Sequence, residues 1–281
     1  MKKYQFHEEI NRIDLFDERF YEIIINEVAH YFPSVTTYLE GFPKGAGYKN
    51  WLMNTKDPDK IMNEAGQLGT NVHDMINRTL LGETIKYTAG MNVVEWERYL
   101  SWCIFWKEFT KMHVVDFDEA YMETMIWNKK YRVAGTYDLM PMVDGKYEMF
   151  DWKTGKNIYE TSHIQISTYA IMCMLKYDIR IDKCRLIHLY PDLNRKGYRV
   201  TEINGIETIK NNFVDFVHTQ KVWLRSNKSA RPKFKSYPTE INLDFIKEND
   251  IVLVRPEVKK KEKPAKATPG TGAVKVKEDK K

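Results

Sequence analysis

Residues 131–156, YRVAGTYDLMPMVDGKYEMFDWKTGK, hold two strand-like runs separated by Asp144-Gly145. That dipeptide suits the two-residue type I′ loop of a β-hairpin, in which both central positions need positive φ. With Asp144 and Gly145 as the loop, Val143 faces Lys146, and counting outward brings Asp138 opposite Asp151. Facing Cβ atoms in an antiparallel pair lie roughly 4.5–5.5 Å apart, so two carboxylates placed there repel. A divalent cation with oxygen ligands relieves that repulsion directly. Lys153, two residues beyond Asp151, shares its strand face by alternation.

Two acids and a base on one face suit phosphodiester hydrolysis. A cation there would neutralise charge on the phosphate and acidify a water, and a lysine would orient that water and stabilise the developing negative charge. The competing reading is a solvent-facing hairpin with scattered acids and a salt-bridging lysine. Tyr147, Met149, Phe150 and Trp152 argue against it, because they make the strand apolar on both sides of Asp151.

Outward from the hairpin, helices and strands alternate in mixed order. Asp57 and Pro58 read as the N-cap and first turn of a helix to about Leu80, with Ile61, Ala65, Leu68, Val72 and Ile76 on its buried stripe. A second helix, about 93–111, is apolar nearly all round and therefore packed. Strands are expected at about 120–127, 131–142 and 147–153, then a helix at 160–176, strands at 185–190 and 198–202, and a helix at 206–224. The implied fold is α/β, a central mixed β-sheet flanked by α-helices. No phosphate loop of the GxxxxGK[ST] type and no internal repeat occurs.

The formal net charge of +5 is localised: residues 256–281 hold nine lysines against four acids, which leaves the rest of the chain neutral. This Lys-rich stretch lacks periodicity and reads as a disordered tail, either solubilising or a sliding contact to phosphates. Cys103, Cys173 and Cys184 offer neither a disulfide framework nor CxxC spacing. Without a secretory leader or an apolar run of membrane length, a cytoplasmic protein with no membrane contact is expected. Trp51, Trp102 and Trp223 could stack on bases, with core packing the default.

The motifs PSVTTYL (33–39), GTNVHD (69–74), Glu123, AGTYD (134–138), DWKTGK (151–156) and Gln165 with Tyr169 together resemble the PD-(D/E)XK nuclease superfamily, and within it the RecB-like and Cas4-like exonucleases common in phages. The resemblance covers about Pro33 to Leu175 and is faint beyond. It implies that His73, Asp138, Asp151 and the Trp152 carbonyl hold Mg2+ or Mn2+, and that Lys153 is the catalytic lysine. Glu123 corresponds to an acid that holds a second metal or orients the lysine, with Glu119 a nearby substitute. The resemblance also implies that Gln165 and Tyr169, one helical turn apart, line the site and touch the substrate backbone. Gly69, one turn before His73, would let its helix approach the sheet.

The resemblance implies a nuclease domain over residues 1–255 with an N-terminal helical part, acting on DNA, alongside a recombination or replication protein as a further partner. It would act in the host cytoplasm if phage-encoded. Three scattered cysteines cannot supply the four ligands of a Cas4-type iron–sulfur cluster. An exonuclease is the first expectation; a structure-specific endonuclease and a non-catalytic nucleic-acid-binding scaffold are the alternatives.

Overall fold

The computed structural model describes residues 10–15, 18–25, 28–117, 121–191, 196–228 and 241–248; Glu119 and the Lys-rich tail lie outside them. The elements run β1 (Ile10–Leu15), β2 (Glu18–Ile25), β3 (Val28–Pro33), α1 (Val35–Leu39), α2 (Ala46–Asn54), α3 (Pro58–Leu80), α4 (Val93–Met112), β4 (Val115–Asp116), β5 (Met122–Asn128), β6 (Val133–Leu139), β7 (Met142–Val143), β8 (Lys146–Lys153), α5 (Glu160–Tyr177), β9 (Ile181–Leu189), β10 (Tyr198–Asn204) and α6 (Ile206–Ser226). They belong to a compact unit spanning Met1–Tyr237; a second unit, Pro238–Lys281, contains α7 (Leu243–Glu248). No helix among the described residues is long and apolar enough to cross a membrane.

The hairpin forms at the expected turn. Asp144 and Gly145 both take positive φ (50° and 81°), and Val143 pairs with Lys146 and Met142 with Tyr147. The Asp144 carboxylate then accepts from Val114 N–H at 2.9 Å and meets His113 Nδ1 at 2.6 Å, tying the turn to the end of α4. Strand β8 is buried on both faces, as its uninterrupted apolar neighbours require of a central strand. It pairs antiparallel with β6 and, after the α5 crossover, parallel with β9. The sheet is therefore mixed, in the order β10-β9-β8-β6-β5, with β4 and β7 extending its end.

Helices cover both faces. On one, α1, α5 and α6 pack Tyr38, Tyr169, Met172 and Phe216 against Ile126, Tyr137 and Met149. On the other, α3 and α4 pack Val72, Ile76, Trp102 and Phe105 against Leu139, Phe150, Trp152 and Ile187. Helix α4 is an aromatic ladder, with Trp102 and Phe105 both edge-on to Trp152 of β8. Each such ring removes roughly 1.5–3 kcal/mol worth of apolar surface from water. Trp102 and Trp223 are core residues, whereas Trp51 lies on α2, which buries nothing.

Two local features depart from the expected elements. Ahead of α1, where no strand was expected, lies a three-stranded antiparallel sheet, β1-β2-β3, whose Tyr21, Ile23 and Phe32 pack on Ala134, Met125 and Trp127. Asp57 and Pro58 take the expected N-cap and first-turn positions of α3, Asp57 in a left-handed conformation (φ 54°) and without a side-chain capping bond. Ile61 (44% exposed) and Ala65 are at the surface, so the buried stripe of α3 begins only at Leu68 and Val72: its first half extends beyond the core.

Candidate functional site

Strand β6 carries the middle of the site. Its pairing with β8 follows the hairpin register through Leu139↔Phe150, and no pair is registered one step farther, at the level of Asp138 and Asp151. There the Asp138 carboxylate accepts the Trp152 N–H at 2.7 Å, so a side chain takes the backbone donor that a continuing ladder would use. On the other flank, β5 pairs Met122 with Leu139 and Thr124 with Tyr137, which leaves Glu123 level with Asp138 and without a registered pair. Glu123 has φ 43°, a strained conformation for a residue within a strand. Glu123, Asp138 and Asp151 thus sit at one level on three neighbouring strands.

Helix α3 brings His73 to this row. Its close approach depends on Gly69, where a Cβ would come within 3.1 Å of the Thr154 hydroxyl. His73 Nε2 lies 3.0 Å from the Trp152 carbonyl, and Nδ1 lies 3.4 Å from Asp138 and 3.6 Å from Glu123. A carbonyl only accepts, so Nε2 carries the hydrogen and, in a neutral ring, the Nδ1 lone pair faces the two carboxylates. One ligand atom from each of His73, Glu123 and Asp138 falls within 4.8 Å of the others, and this group could hold a metal ion. Imidazole nitrogen with carboxylate oxygen is a donor set for divalent cations, and the Trp152 carbonyl, expected as a further ligand, here orients the histidine ring.

Asp151 stands outside that group. Its side chain is 5% exposed and its Oδ2 lies 2.7 Å from Lys153 Nζ; the pair is not aligned as a hydrogen bond, and the buried Oδ2 has no other donor. An acceptor buried in that way is costly unless a cation satisfies it. Lys153 donates to Gln165 Oε1 at 3.0 Å, and Gln165 Nε2 donates to the Tyr169 hydroxyl at 3.4 Å. Tyr169 is buried against Gly135 of β6, where a Cβ would lie 2.5 Å from its ring; only glycine permits this approach. His73, Glu123, Asp138, Asp151, Trp152, Lys153, Gln165 and Tyr169 are therefore joined into one connected cluster.

The charges respond accordingly. Burial pushes the Asp151 carboxyl up to about 6, with Asp138 adding to the rise and Lys153 opposing it. Burial also acts to raise Asp138, but His73, Lys153 and the Trp152 N–H outweigh it and hold that carboxyl below its ordinary value. Burial disfavours a charged His73, yet Asp138 and Glu123 raise its pKa well above the usual value. Glu123 is raised by burial and by Asp138, against the pull of His73. A proton on His73 thus does part of the work a cation would do.

Two residues were not assigned a role from the sequence. Arg12, on the unexpected N-terminal sheet, is near enough to Glu123 to lower its pKa. His188 pairs in register with Lys153, is buried, and places Nε2 2.5 Å from the Gly155 carbonyl, anchoring the loop after the lysine. Strand alternation could have found His188; nothing local marks Arg12.

No family profile and no curated protein matches this sequence. Among solved structures, it is similar to LHK-Exo in complex with dAMP (10% identity, TM-score 0.34, covering 70% of this chain and 92% of that one). It is likewise similar to the alkaline exonuclease LHK-Exo from Laribacter hongkongensis (12%, TM-score 0.33, 69% and 90%). A phage related exonuclease from Haemophilus somnus 129PT gives 15% identity and a TM-score of 0.32, covering 71% of this chain and 98% of that one. At these TM-scores the likeness transfers neither residue nor reaction to this chain.

Proposed function

We propose that this chain is a divalent-metal-dependent deoxyribonuclease acting in the cytoplasm, with exonucleolytic cleavage as its mode. The observation that carries the reading is the convergence of His73, Glu123 and Asp138 beside the buried Asp151–Lys153 pair. His73 Nδ1, Glu123 and Asp138 would hold Mg2+ or Mn2+, with Asp151 and the Trp152 carbonyl as further ligands. When bound, the cation supplies charge neutralisation at a phosphate and acidifies a water.

The protein's own groups do the positioning. Lys153 has three N–H donors, and Asp151 and Gln165 engage two directions, which leaves the third for a phosphate oxygen or an attacking water. Its charge stabilises negative charge that develops on the phosphoryl oxygens. Tyr169, wedged on Gly135, fixes Gln165 and through it the lysine.

The test is incubation of the full chain with linear and covalently closed, single- and double-stranded DNA, with and without Mg2+ or Mn2+. Exonucleolysis predicts loss of linear DNA only in the presence of metal, with closed circles intact. Cutting of circles would make it an endonuclease, and binding without cutting in any metal would make it a scaffold.

A further inference from the structure

Helix α2 and the first half of α3 form a surface that the core does not explain. No residue of α2 is buried, and Leu52, Met53, Ile61 and Met62 are exposed apolar side chains around it. The aromatic rings of Tyr48 and Trp51 are half-buried on each other, with centroids 5.9 Å apart. Lys44 Nζ stands 4.4 Å above the Tyr48 ring, and the Tyr48 hydroxyl reaches Met62 of α3. Residues 41–56 hold three lysines, Lys44, Lys49 and Lys56, and no acid, in a body (1–255) that is neutral as a whole; the first half of α3 adds Lys60 with Asp59 and Glu64.

Half-exposed aromatic rings interleaved with lysines are what a single nucleic-acid strand needs: a sequence-tolerant stacking platform beside cations for its phosphates. A protein partner would be served by the apolar residues alone, and the excess of positive charge on the α2 side, over residues 41–56, favours a polyanion. One helix leads from this surface to the cluster described above. Helix α3 starts at Pro58, beside the lysines, and runs uninterrupted to His73; fifteen residues at about 1.5 Å each make roughly 22 Å.

We propose that this arm docks a single DNA strand, with bases on Trp51 and Tyr48 and phosphates on Lys44 and Lys49, and that the strand runs along α3 toward His73. This rests on the nuclease reading. At a stacked rise of about 3.4 Å per nucleotide, the interval spans about six nucleotides, so the arm acts on strands longer than that.

The experiment measures anisotropy of labelled single-stranded oligonucleotides of four and of twenty nucleotides, in chelator, with the full chain. The variants are Trp51→Ala with Tyr48→Ala, and Lys44→Ala with Lys49→Ala; circular dichroism should show both folded, since α2 buries nothing. Affinity for the longer strand should fall on the order of tenfold or more in each, and affinity for the shorter one should hold. The lysine pair should also flatten the salt dependence. Unchanged affinity for the longer strand overturns the proposal. So does unchanged affinity accompanied by loss of self-association in sedimentation, which would make the arm a contact between copies. Wild-type cleavage with normal binding by the arm variants sinks the docking surface alone. Arm-dependent binding by a wild type that never cuts sinks the nuclease reading alone.

Discussion

Lys153 is held from two sides by partners that differ in what they need. Asp151 needs a cation because its carboxylate is buried, while Gln165 only orients the ammonium group. Removing the lysine therefore leaves an uncompensated buried acid, and removing the glutamine leaves a lysine that wanders. Lys153→Ala and Asp151→Ala should each abolish metal-dependent cleavage, by three orders of magnitude or so, and Gln165→Ala should reduce it by about tenfold. His73→Ala should raise the metal concentration needed by on the order of 10- to 100-fold, read from a metal titration of the rate.

The raised pKa of Asp151, about 6, gives a signed expectation. Its folded value lies above the unfolded one, so the proton favours the fold, and that contribution is complete below the unfolded value near 4 and lost as pH rises through 6. For the metal-free protein, the difference in Tm should therefore move in favour of Asp151→Asn as pH goes from about 4 to about 7. Mn2+ binding to the wild type should strengthen over the same interval as the carboxylate becomes available. A Tm difference that is flat across this range would mean that Asp151 titrates as an ordinary carboxylate.

At the scale of elements, the site depends on two close approaches at glycine: Gly135, where a Cβ would overlap the Tyr169 ring, and Gly69, where it would crowd the Thr154 hydroxyl. Gly135→Ala should force the Tyr169 ring aside, costing about 1–3 kcal/mol in stability and lowering kcat more than KM. Phe105→Ala should cost about 3–5 kcal/mol, because its ring seats α4 on Trp152. Denaturant melts and steady-state kinetics read both. How legible such elements are in sequence follows from where their geometry is decided. The β7–β8 hairpin was readable because Asp144-Gly145 needs positive φ at both positions, a local requirement, and it set the register that brings Asp138 level with Asp151. The β1–β3 sheet was not, since Ile23, Ile24 and Ile25 in a row show no period of two; only packing on Met125 and Trp127 separates buried Ile23 (2%) from exposed Ile24 (59%). Glu123 could be named but not located, as the hairpin does not tie β5 and its positive φ breaks strand alternation. The contact of His73 Nε2 with the Trp152 carbonyl was not readable either, because sequence carries no trace of which acceptor a histidine ring selects.

For the whole molecule, the decisive property is that charge is local. With the excess lysines gathered in residues 256–281, the remainder binds phosphate only where particular cations converge. Deleting 256–281 should leave cleavage of linear DNA intact and flatten the salt dependence of DNA binding if the tail slides on phosphates; an unchanged slope would mark it as solubilising. The mixed sheet, by contrast, concentrates negative charge, setting Glu123, Asp138 and Asp151 level on three strands and bringing His73 in from α3. That concentration is stable as a charged set only with a cation among its members.

Calorimetric titration of Mn2+ into the full chain and its Asp138→Asn and Glu123→Gln variants, all checked for native melting, tests this most directly. The wild type should take up Mn2+ with measurable heat and each variant should lose most of it. Equal Mn2+ uptake by all three proteins, or none by the wild type even with DNA present, would contradict the account.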